Sequence, residues 1–393
     1  MATDASQGSI CIGSQVPTGH EPLKVNLGIG AYRDDHGKPW QLSCVQTARK
    51  QLADGEWLHE YLPLNGDAEF VDLAQKLLFG AELPAGAISS VQSVSGTGAN
   101  STFATIAGQI AASHQQVWFP NLTWDNHYHI WRENAPAIHQ RNYPYFDPVR
   151  MCLDFDAMMT TLRQDAREGD FILLHACAHN PTGLDPTRDQ WREIARLCLE
   201  KRLFVVFDVA YQGFATGNLD QDAWAVRHFC SYASLEIAAC QSFSNNLGLY
   251  GERVGILHIV TTRAPTDSTV VSAVRAKLVD VQRASISMAP RFGSQVARLV
   301  MSSPKLHRQW ELDLLRMSGR ITAMRQALYN ELQRLATPGD WNHIVEQSGM
   351  FSYTGLSTQQ VELMQTEYHV HMLPSGRISI CRLTCQNVAV ISK

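Results

Sequence analysis

Short apolar runs alternate with segments of helical periodicity along most of the chain. Each run ends in small or polar residues, and the runs cover residues 88–94, 116–119, 171–174, 203–207, 238–243 and 254–260. Between them, residues 70–78 and 191–199 place their apolar side chains on one helical face. Asp185-Pro186, just before the second of these segments, predicts a helix cap followed by proline in the first turn. This alternation is typical of an α/β fold with a mostly parallel sheet and helices on both faces.

A helical pattern without proline covers residues 306–335 and predicts a helix of about 45 Å. A helix of that length suits a connector between two domains. After Thr337-Pro338-Gly339, a separate portion of mixed helix and strand pattern runs to the end of the chain.

Composition and charge exclude several classes of protein. The 393 residues are 45% apolar and 18% charged, which is ordinary for a globular protein. The net charge of −4, without clustered cations, argues against a nucleic-acid partner. No apolar run approaches the length of about 18 residues that a membrane helix needs. Residues 1–6 are polar and lack arginine, so we expect neither a signal peptide nor a mitochondrial presequence.

The nine cysteines are scattered without a CxxC pair, which favours reduced thiols and a cytoplasmic location. His175, Cys177 and His179 alternate and would share one face of a strand. Their spacing is not that of a zinc site, so we expect no metal.

Polar residues at the ends of the predicted strands are the candidates for chemistry. Ser95-Gly96-Thr97-Gly98 opens a helical stretch, where it forms either an anion site or only a tight turn. Asp208 ends a very apolar run and is either a structural cap or a partner for a protonated ring nitrogen of a cofactor. Trp124 either stacks on a flat cofactor or packs in the core. Gly28-Ile29-Gly30 is a weak match to a dinucleotide motif, because its third glycine is missing.

The loop over residues 241–255, QSFSNNLGLYGERVG, carries two serines, several glycines and Arg253. Arginine binds phosphate with two parallel hydrogen bonds, so this loop predicts a phosphate clamp.

These motifs resemble those of the aspartate aminotransferases, class I enzymes of fold type I that depend on pyridoxal 5′-phosphate (PLP). The resemblance runs from about residue 23 to 388. Its motifs are VNLGIGAYR (25–33), EYLP (60–63), SGTGA (95–99), HACAHNPTGLDP (175–186), FDVAYQGF (207–214), QSGMFSYTGL (347–356) and SGRIS (375–379). The resemblance implies a large PLP-binding domain over residues 38–312 with a mostly parallel sheet. It also implies a smaller α/β domain formed by residues 1–37 and 313–393.

The resemblance also implies a role for each matching residue in holding the cofactor. The phosphate would be bound by Ser95, Gly96, Thr97, Ser242, Arg253 and, from a neighbouring subunit, Tyr61. Trp124 would stack on the ring, and Asp208, supported by His127, would keep the ring nitrogen protonated. Asn180 and Tyr211 would donate to its phenolic oxygen.

For the substrate, the resemblance implies amino-group transfer between L-aspartate or L-glutamate and 2-oxo acids. Arg377 and Gly30 would hold the α-carboxylate, and Trp124 and Asn180 would also contact the substrate. Arg283 would reach across a homodimer to the distal carboxylate.

One departure from the family concerns the catalytic position. The family has lysine where this chain has Asn245, and that lysine forms the Schiff base with PLP and moves the substrate proton. Asparagine has no amine and no useful basicity, and loss of a positioned acid–base group costs roughly 10²–10⁴ in rate. The alternatives are an impaired aminotransferase, a non-catalytic PLP- or dicarboxylate-binding paralogue, and a specialised PLP enzyme. The last would use Tyr61, Tyr211 or His175 as its base.

Smaller departures lie elsewhere. Residues 286–290 read ISMAP, where the family has an aromatic-Ser-Asn-Pro-Pro run, so we expect a less polar distal end of the site. The N-terminal segment and the C-terminal end also differ from the family, which predicts impaired closure of the smaller domain.

Overall fold

The computed structural model describes residues 24–55, 59–80, 87–261 and 268–391. The expectation of a polar start without a targeting segment falls on residues outside these ranges. No helix within the described ranges is long and apolar enough to cross a membrane.

The strands, in chain order, are β1 (Val25–Asn26), β2 (Ile88–Val94), β3 (Gln116–Pro120), β4 (His139–Tyr143), β5 (Phe146–Asp147), β6 (Cys152–Leu153), β7 (Phe171–His175), β8 (Phe204–Val209), β9 (Ile237–Ser242), β10 (Val254–Val260), β11 (Phe351–Tyr353), β12 (Val370–His371) and β13 (Arg377–Ser379).

The helices are α1 (Ser43–Asp54), α2 (Ala68–Phe79), α3 (Ser95–Ile110), α4 (Asn126–Asn134), α5 (Phe155–Asp165), α6 (Arg188–Lys201), α7 (Leu219–Asp222), α8 (Trp224–Cys230), α9 (Ser268–Ile286), α10 (Arg291–Ser302), α11 (Pro304–Arg334), α12 (His343–Glu346), α13 (Thr358–Thr366) and α14 (Val388–Ile391). A 3₁₀ turn covers Ile380–Arg382.

A seven-stranded sheet in the order β2-β10-β9-β8-β7-β3-β4 forms the centre of the molecule. Strand β10 is antiparallel to both of its neighbours, and every other pair in the sheet is parallel. All six predicted apolar runs are strands of this sheet, which confirms the mostly parallel α/β prediction. Strand β4 carries no apolar run because it lies at the edge and is largely exposed.

Helices cover both faces of the sheet, so the central strands are buried on both sides. Val205 and Phe207 pack on one side with Ile194 of α6, whereas Val206 packs on the other with Phe103 of α3. Burial on both faces explains why these strands read as continuous apolar runs.

The prediction that Asp185 caps α6 is wrong. Thr187 is the cap, and it forms a reciprocal pair with Gln190. The Asp185 carboxylate instead accepts hydrogen bonds from the main-chain nitrogens of Ala178 and His179, at 2.7 and 2.9 Å. It therefore orders the loop after β7, which carries Asn180.

The long helix α11 runs over 31 residues from Pro304 to Arg334, close to the predicted bounds. Its buried Arg325 donates to main-chain oxygens of the C-terminal portion, including Ile344 at 2.9 Å and Gly349 at 3.0 Å. Strand β1 pairs in parallel with β12 of that portion, with Val25 opposite Val370. The segment around β1 thus joins the C-terminal part of the chain.

Candidate active site

The candidate residues gather at one edge of the sheet because of the strand directions. Strands β3, β7, β8 and β9 are parallel neighbours, so the loops at their carboxyl ends lie side by side. Since β10 runs the other way, its first residues reach the same edge and bring Arg253 there. Gly255 lets α3 begin directly over β10, because a Cβ at this position would lie 2.5 Å from the carbonyl carbon of Ser95.

A cavity of about 290 Å³ opens at this edge. It is lined by these predicted residues: Gly30, Ser95, Gly96, Thr97, Trp124, Asn180, Asp208, Tyr211, Ser242, Asn245, Arg253 and Arg377. The structure therefore brings together every predicted site residue except Tyr61 and Arg283.

A cluster of hydroxyl groups and one guanidinium forms one end of the cavity. Ser95 Oγ lies 2.9 Å from Ser242 Oγ and 2.7 Å from Ser244 Oγ. Arg253 contacts Ser244 Oγ at 3.4 Å and Thr97 Oγ1 at 3.5 Å, and burial lowers its pKa. Because this cluster surrounds the first turn of α3, its main-chain N–H groups add to a site suited to a phosphate. We call it the anion cradle.

Asp208 ends a directed chain of hydrogen bonds. His127 Nε2 donates to Asp208 Oδ2 at 3.0 Å, and His127 Nδ1 and His175 Nε2 each lie 2.9 Å from Thr123 Oγ1. The main-chain nitrogen of Asn180 donates to His175 Nδ1 at 3.5 Å. His175 can then donate to the Thr123 hydroxyl, and that hydroxyl to His127, so all the hydrogen bonds run in one direction toward Asp208. Burial would raise the pKa of Asp208, but the hydrogen bond from His127 opposes burial and helps to hold that pKa below its usual value. The carboxylate is therefore ionised and able to pair with a protonated ring nitrogen.

Two of the three alternative bases, His175 and Tyr211, do not suit proton transfer. Burial lowers the pKa of His175 to about 3, and its ring nitrogens are engaged with Thr123 and Asn180. Burial likewise raises the pKa of the Tyr211 hydroxyl above its usual value. Within the described residues, no group of His, Cys, Asp and Glu side chains has the arrangement of a metal site.

Asn245 lines the cavity and is only 8% exposed. Its side-chain nitrogen donates to the carbonyl oxygen of Ala210 at 3.1 Å. The carboxamide is thus held by the main chain of the loop after β8, and it offers the cavity no amine and no base.

Arg377 lines the cavity and is held by three contacts. Its two terminal nitrogens donate to Asn180 Oδ1 at 3.2 Å and to Gly28 O at 3.1 Å. Its guanidinium carbon lies 4.2 Å from the centre of the Phe351 ring. Gly30 allows the neighbouring segment to approach, because a Cβ there would lie 2.7 Å from Phe351 Cζ. This arrangement suits a carboxylate.

Tyr61 and Arg283 lie outside the cavity. Tyr61 is 80% exposed, and Arg283 is exposed near the end of α9. The segments that carry them are adjacent, since the nitrogen of Leu62 lies 3.1 Å from Met288 Sδ. Within one chain, neither side chain reaches the other candidate residues.

Four further residues line the cavity without a predicted role: Ala210, Ser244, Tyr250 and Phe351. All four belong to motifs described above, over residues 207–214, 241–255 and 347–356. Whether a residue of such a motif faces the cavity depends on the conformation of its loop, which the amino-acid sequence of the motif does not specify.

Comparison with known proteins agrees with this arrangement. The profile of the family "Aminotransferase class I and II" matches residues 22–392. The chain belongs to this family. An L-tyrosine:2-oxoglutarate aminotransferase from Aspergillus ustus is 45% identical over 383 residues, which are 95% of this chain and 72% of that protein.

Two solved structures extend the comparison. The aspartate aminotransferase from Saccharomyces cerevisiae cytoplasm is 40% identical with a TM-score of 0.91, covering 95% of this chain and 91% of that one. An aromatic-amino-acid aminotransferase from Burkholderia pseudomallei, covalently bound to pyridoxal phosphate, is 33% identical. Its TM-score is 0.90, and the match covers 95% of this chain and 92% of that one. These relatives support an aminotransferase-like function.

Class I and II aminotransferases depend on PLP, and the residues that line the cavity fit that group. The anion cradle suits its phosphate, and the ionised Asp208 suits its ring nitrogen. Gly96 keeps the cradle open, because a Cβ there would lie 3.2 Å from Ser242 Cβ. Asn245, however, has no amine that could attach to the aldehyde.

Proposed function

We propose that this protein binds PLP without a covalent link and receives dicarboxylic amino acids and 2-oxo acids in the same pocket. The family reaction is amino-group transfer between L-aspartate or L-glutamate and 2-oxo acids. We infer that this chain performs it slowly, because Asn245 supplies no proton-transfer group. The observation that carries the proposal is the Asn245 carboxamide, bonded to Ala210 O in a pocket that contains every other predicted PLP contact except Tyr61.

The roles follow from the contacts. The anion cradle would bind the cofactor phosphate through Arg253 and hydroxyl donors. Asp208, kept ionised through His127, would hold the ring nitrogen protonated, and Trp124 would cover one face of the ring. PLP, when bound in this way, supplies an electron sink to the bond that reacts at the substrate Cα.

Arg377 and Asn180 would orient the substrate α-carboxylate, together with Gly30. Tyr211 would hold the phenolic oxygen of the cofactor as a neutral hydroxyl donor, in keeping with its raised pKa. No residue with an amine lines the pocket within the described part of the chain, so proton movement at Cα would rely on water.

We also propose a homodimer with shared sites in the cytoplasm. Tyr61 and Arg283 are exposed on adjacent segments, and both acquire a role only beside the pocket of a second copy. The division into a large domain (38–312) and a small domain (1–37 and 313–393) is part of the same proposal. The pairing of β1 with β12 supports it.

A non-catalytic PLP- or dicarboxylate-binding paralogue is the second candidate, and the lack of a base at Asn245 favours it. The specialised enzyme has less support, since His175 and Tyr211 have pKa values far from neutrality.

The test is the absorbance spectrum of purified protein with PLP, before and after aspartate is added, followed by borohydride treatment and mass spectrometry. We expect PLP to bind and to leave no adduct on the chain. A stable phosphopyridoxyl group on any lysine would contradict the proposal. Slow formation of oxaloacetate would distinguish the impaired enzyme from the binding paralogue.

A further inference from the structure

A second cavity of about 500 Å³ adjoins the first, and the two share Trp124, Asn180 and Arg377. The second cavity is partly apolar, with Ile29 and Leu373 in its lining. A molecule that places a carboxylate on Arg377 therefore has room on two sides of the guanidinium. The proposed cofactor would occupy only the first cavity.

At the wall that the two cavities share, one N–H donor of Arg377 makes no hydrogen bond within the described residues. Its terminal nitrogens are bonded to Asn180 and Gly28, whereas its Nε is buried without a hydrogen-bond partner among the described residues. Burial lowers the pKa of Arg377, and the nearby Tyr211 and Asp125 oppose that shift. The Asp125 carboxylate is thus close enough to favour the charged form of Arg377.

Asp125 lines the second cavity and leaves its carboxylate available. It is the N-cap residue of α4, yet its side chain makes no capping hydrogen bond, unlike Asp67 at the start of α2. In the described part of the chain, the exposed Asp125 side chain has no hydrogen-bond or ion-pair partner. The carboxylate is therefore accessible and able to accept a hydrogen bond from a molecule in the second cavity.

The Tyr128 ring belongs to the same cavity, and its hydroxyl is engaged elsewhere. It donates to Asn142 Oδ1 at 3.2 Å, which leaves the ring for contact with a ligand. Aromatic rings beside a carboxylate favour a group that is apolar along its length and carries a donor at its end. A side chain that ends in a carboxylate would be repelled by Asp125.

An aminotransferase takes two different amino acids in turn, so its second substrate need not be dicarboxylic. We infer that the second cavity binds the side chain of an amino acid that is long and ends in an N–H or O–H donor, and that Asp125 accepts from that donor while Arg377 holds the α-carboxylate. This inference rests on the proposed function and names one of its two substrates. A phenol and a terminal ammonium share this chemistry.

The experiment is calorimetric titration of the PLP-loaded protein with two matched pairs of ligands, tyrosine with phenylalanine and lysine with norleucine. We expect the donor-bearing member of at least one pair to bind about tenfold more tightly than its apolar partner. Asp125→Ala should abolish that preference. Asp156→Ala, which removes an exposed carboxylate from α5, should preserve it.

The arms identify the ligand: a preference confined to the first pair indicates a phenol, and one confined to the second indicates an ammonium. Equal affinities within both pairs, or a preference that survives Asp125→Ala, would overturn the inference. If PLP and aspartate still bind in that case, the proposed function stands. If PLP does not bind at all, both the proposed function and the inference about the second cavity are wrong.

Discussion

The side-chain nitrogen of Asn245 donates to the carbonyl oxygen of Ala210 across 3.1 Å, inside the pocket that holds Asp208 and Arg253. This contact joins the loop after β9 to the loop after β8. It stabilises a residue that cannot form a covalent link to PLP or accept a substrate proton. On the proposed function, the pocket therefore holds PLP through the anion cradle and Asp208, without a covalent link at residue 245.

Asn245→Lys should raise aspartate transamination by at least about 10²-fold, the low end of the contribution of a positioned base. The new amine would replace a carboxamide that already lines the pocket. The measurement is the rate of oxaloacetate formation with PLP and 2-oxoglutarate. Asn245→Gln, which keeps a carboxamide, is the control and should show no gain.

If the lysine variant attaches PLP but shows no gain, the altered segment 286–290 has itself reduced turnover. If the unchanged protein is already as fast as the lysine variant, the idea that Asn245 impairs it is wrong.

Arg253→Ala should weaken PLP binding by roughly 10–100-fold, because hydrogen bonds to charged groups contribute about 1.5–3 kcal/mol. Fluorescence titration with PLP measures the effect. Pyridoxal, which lacks the phosphate, is the internal control, and its affinity should not change. A similar loss for both ligands would show that Arg253 supports the fold of the cradle instead of contacting phosphate.

Arg283→Ala should weaken aspartate binding by about 10–100-fold and alanine binding hardly at all, since only aspartate has a distal carboxylate. Arg275→Ala is the matched control, because Arg275 is an exposed arginine on the same helix. Equal weakening of both ligands would place Arg283 outside the site of the second copy.

The protein should be a homodimer at micromolar concentration, since Tyr61 and Arg283 lie outside their own pocket. Light scattering of the PLP-bound protein measures the mass. A monomer that still binds PLP would contradict the shared-site arrangement.

Stability should fall as the pH drops below about 6.5, because burial lowers the pKa of His175 from 6.5 to about 3. The unfolded chain binds a proton in that window and the folded chain does not, so unfolding is favoured as pH falls. At pH 5 this one group contributes a loss of about 2 kcal/mol relative to pH 7.

Urea titrations at pH 5 and 7 measure that change. His175→Asn should reduce the pH dependence, whereas His36→Asn, at an exposed position, should preserve it. An unchanged slope in the His175 variant would assign the acid sensitivity to other buried histidines, such as His258, whose pKa burial also lowers to about 3.

Much of the fold could be predicted because central strands are buried on both faces. The run over residues 254–260 became β10 with the same bounds, and α11 was recognised from its unbroken helical pattern. A carboxylate directly after such a run needs a partner, so the sequence alone marks Asp208 as a candidate. That partner, His127, lies 81 positions earlier in the chain.

Other features depend on contacts that local patterns do not contain. Asp185 resembles a helix cap in the sequence, but the loop it orders uses both of its oxygens. Asp125 stands at a true cap position and makes no cap bond. Both residues have the type that favours capping, and only the surrounding packing separates their roles.

The amino-acid sequence by itself determined that residue 245 is an asparagine, that apolar strands end in phosphate-binding residue types, and that the motifs occur in the order of the family. The tertiary structure decided which atoms meet. Arg253 reaches Ser244 and Thr97 only because β10 runs antiparallel to its neighbours, and an apolar run has the same pattern in either direction. Strand direction follows from how the whole sheet packs, so the cradle exists only once the sheet has formed.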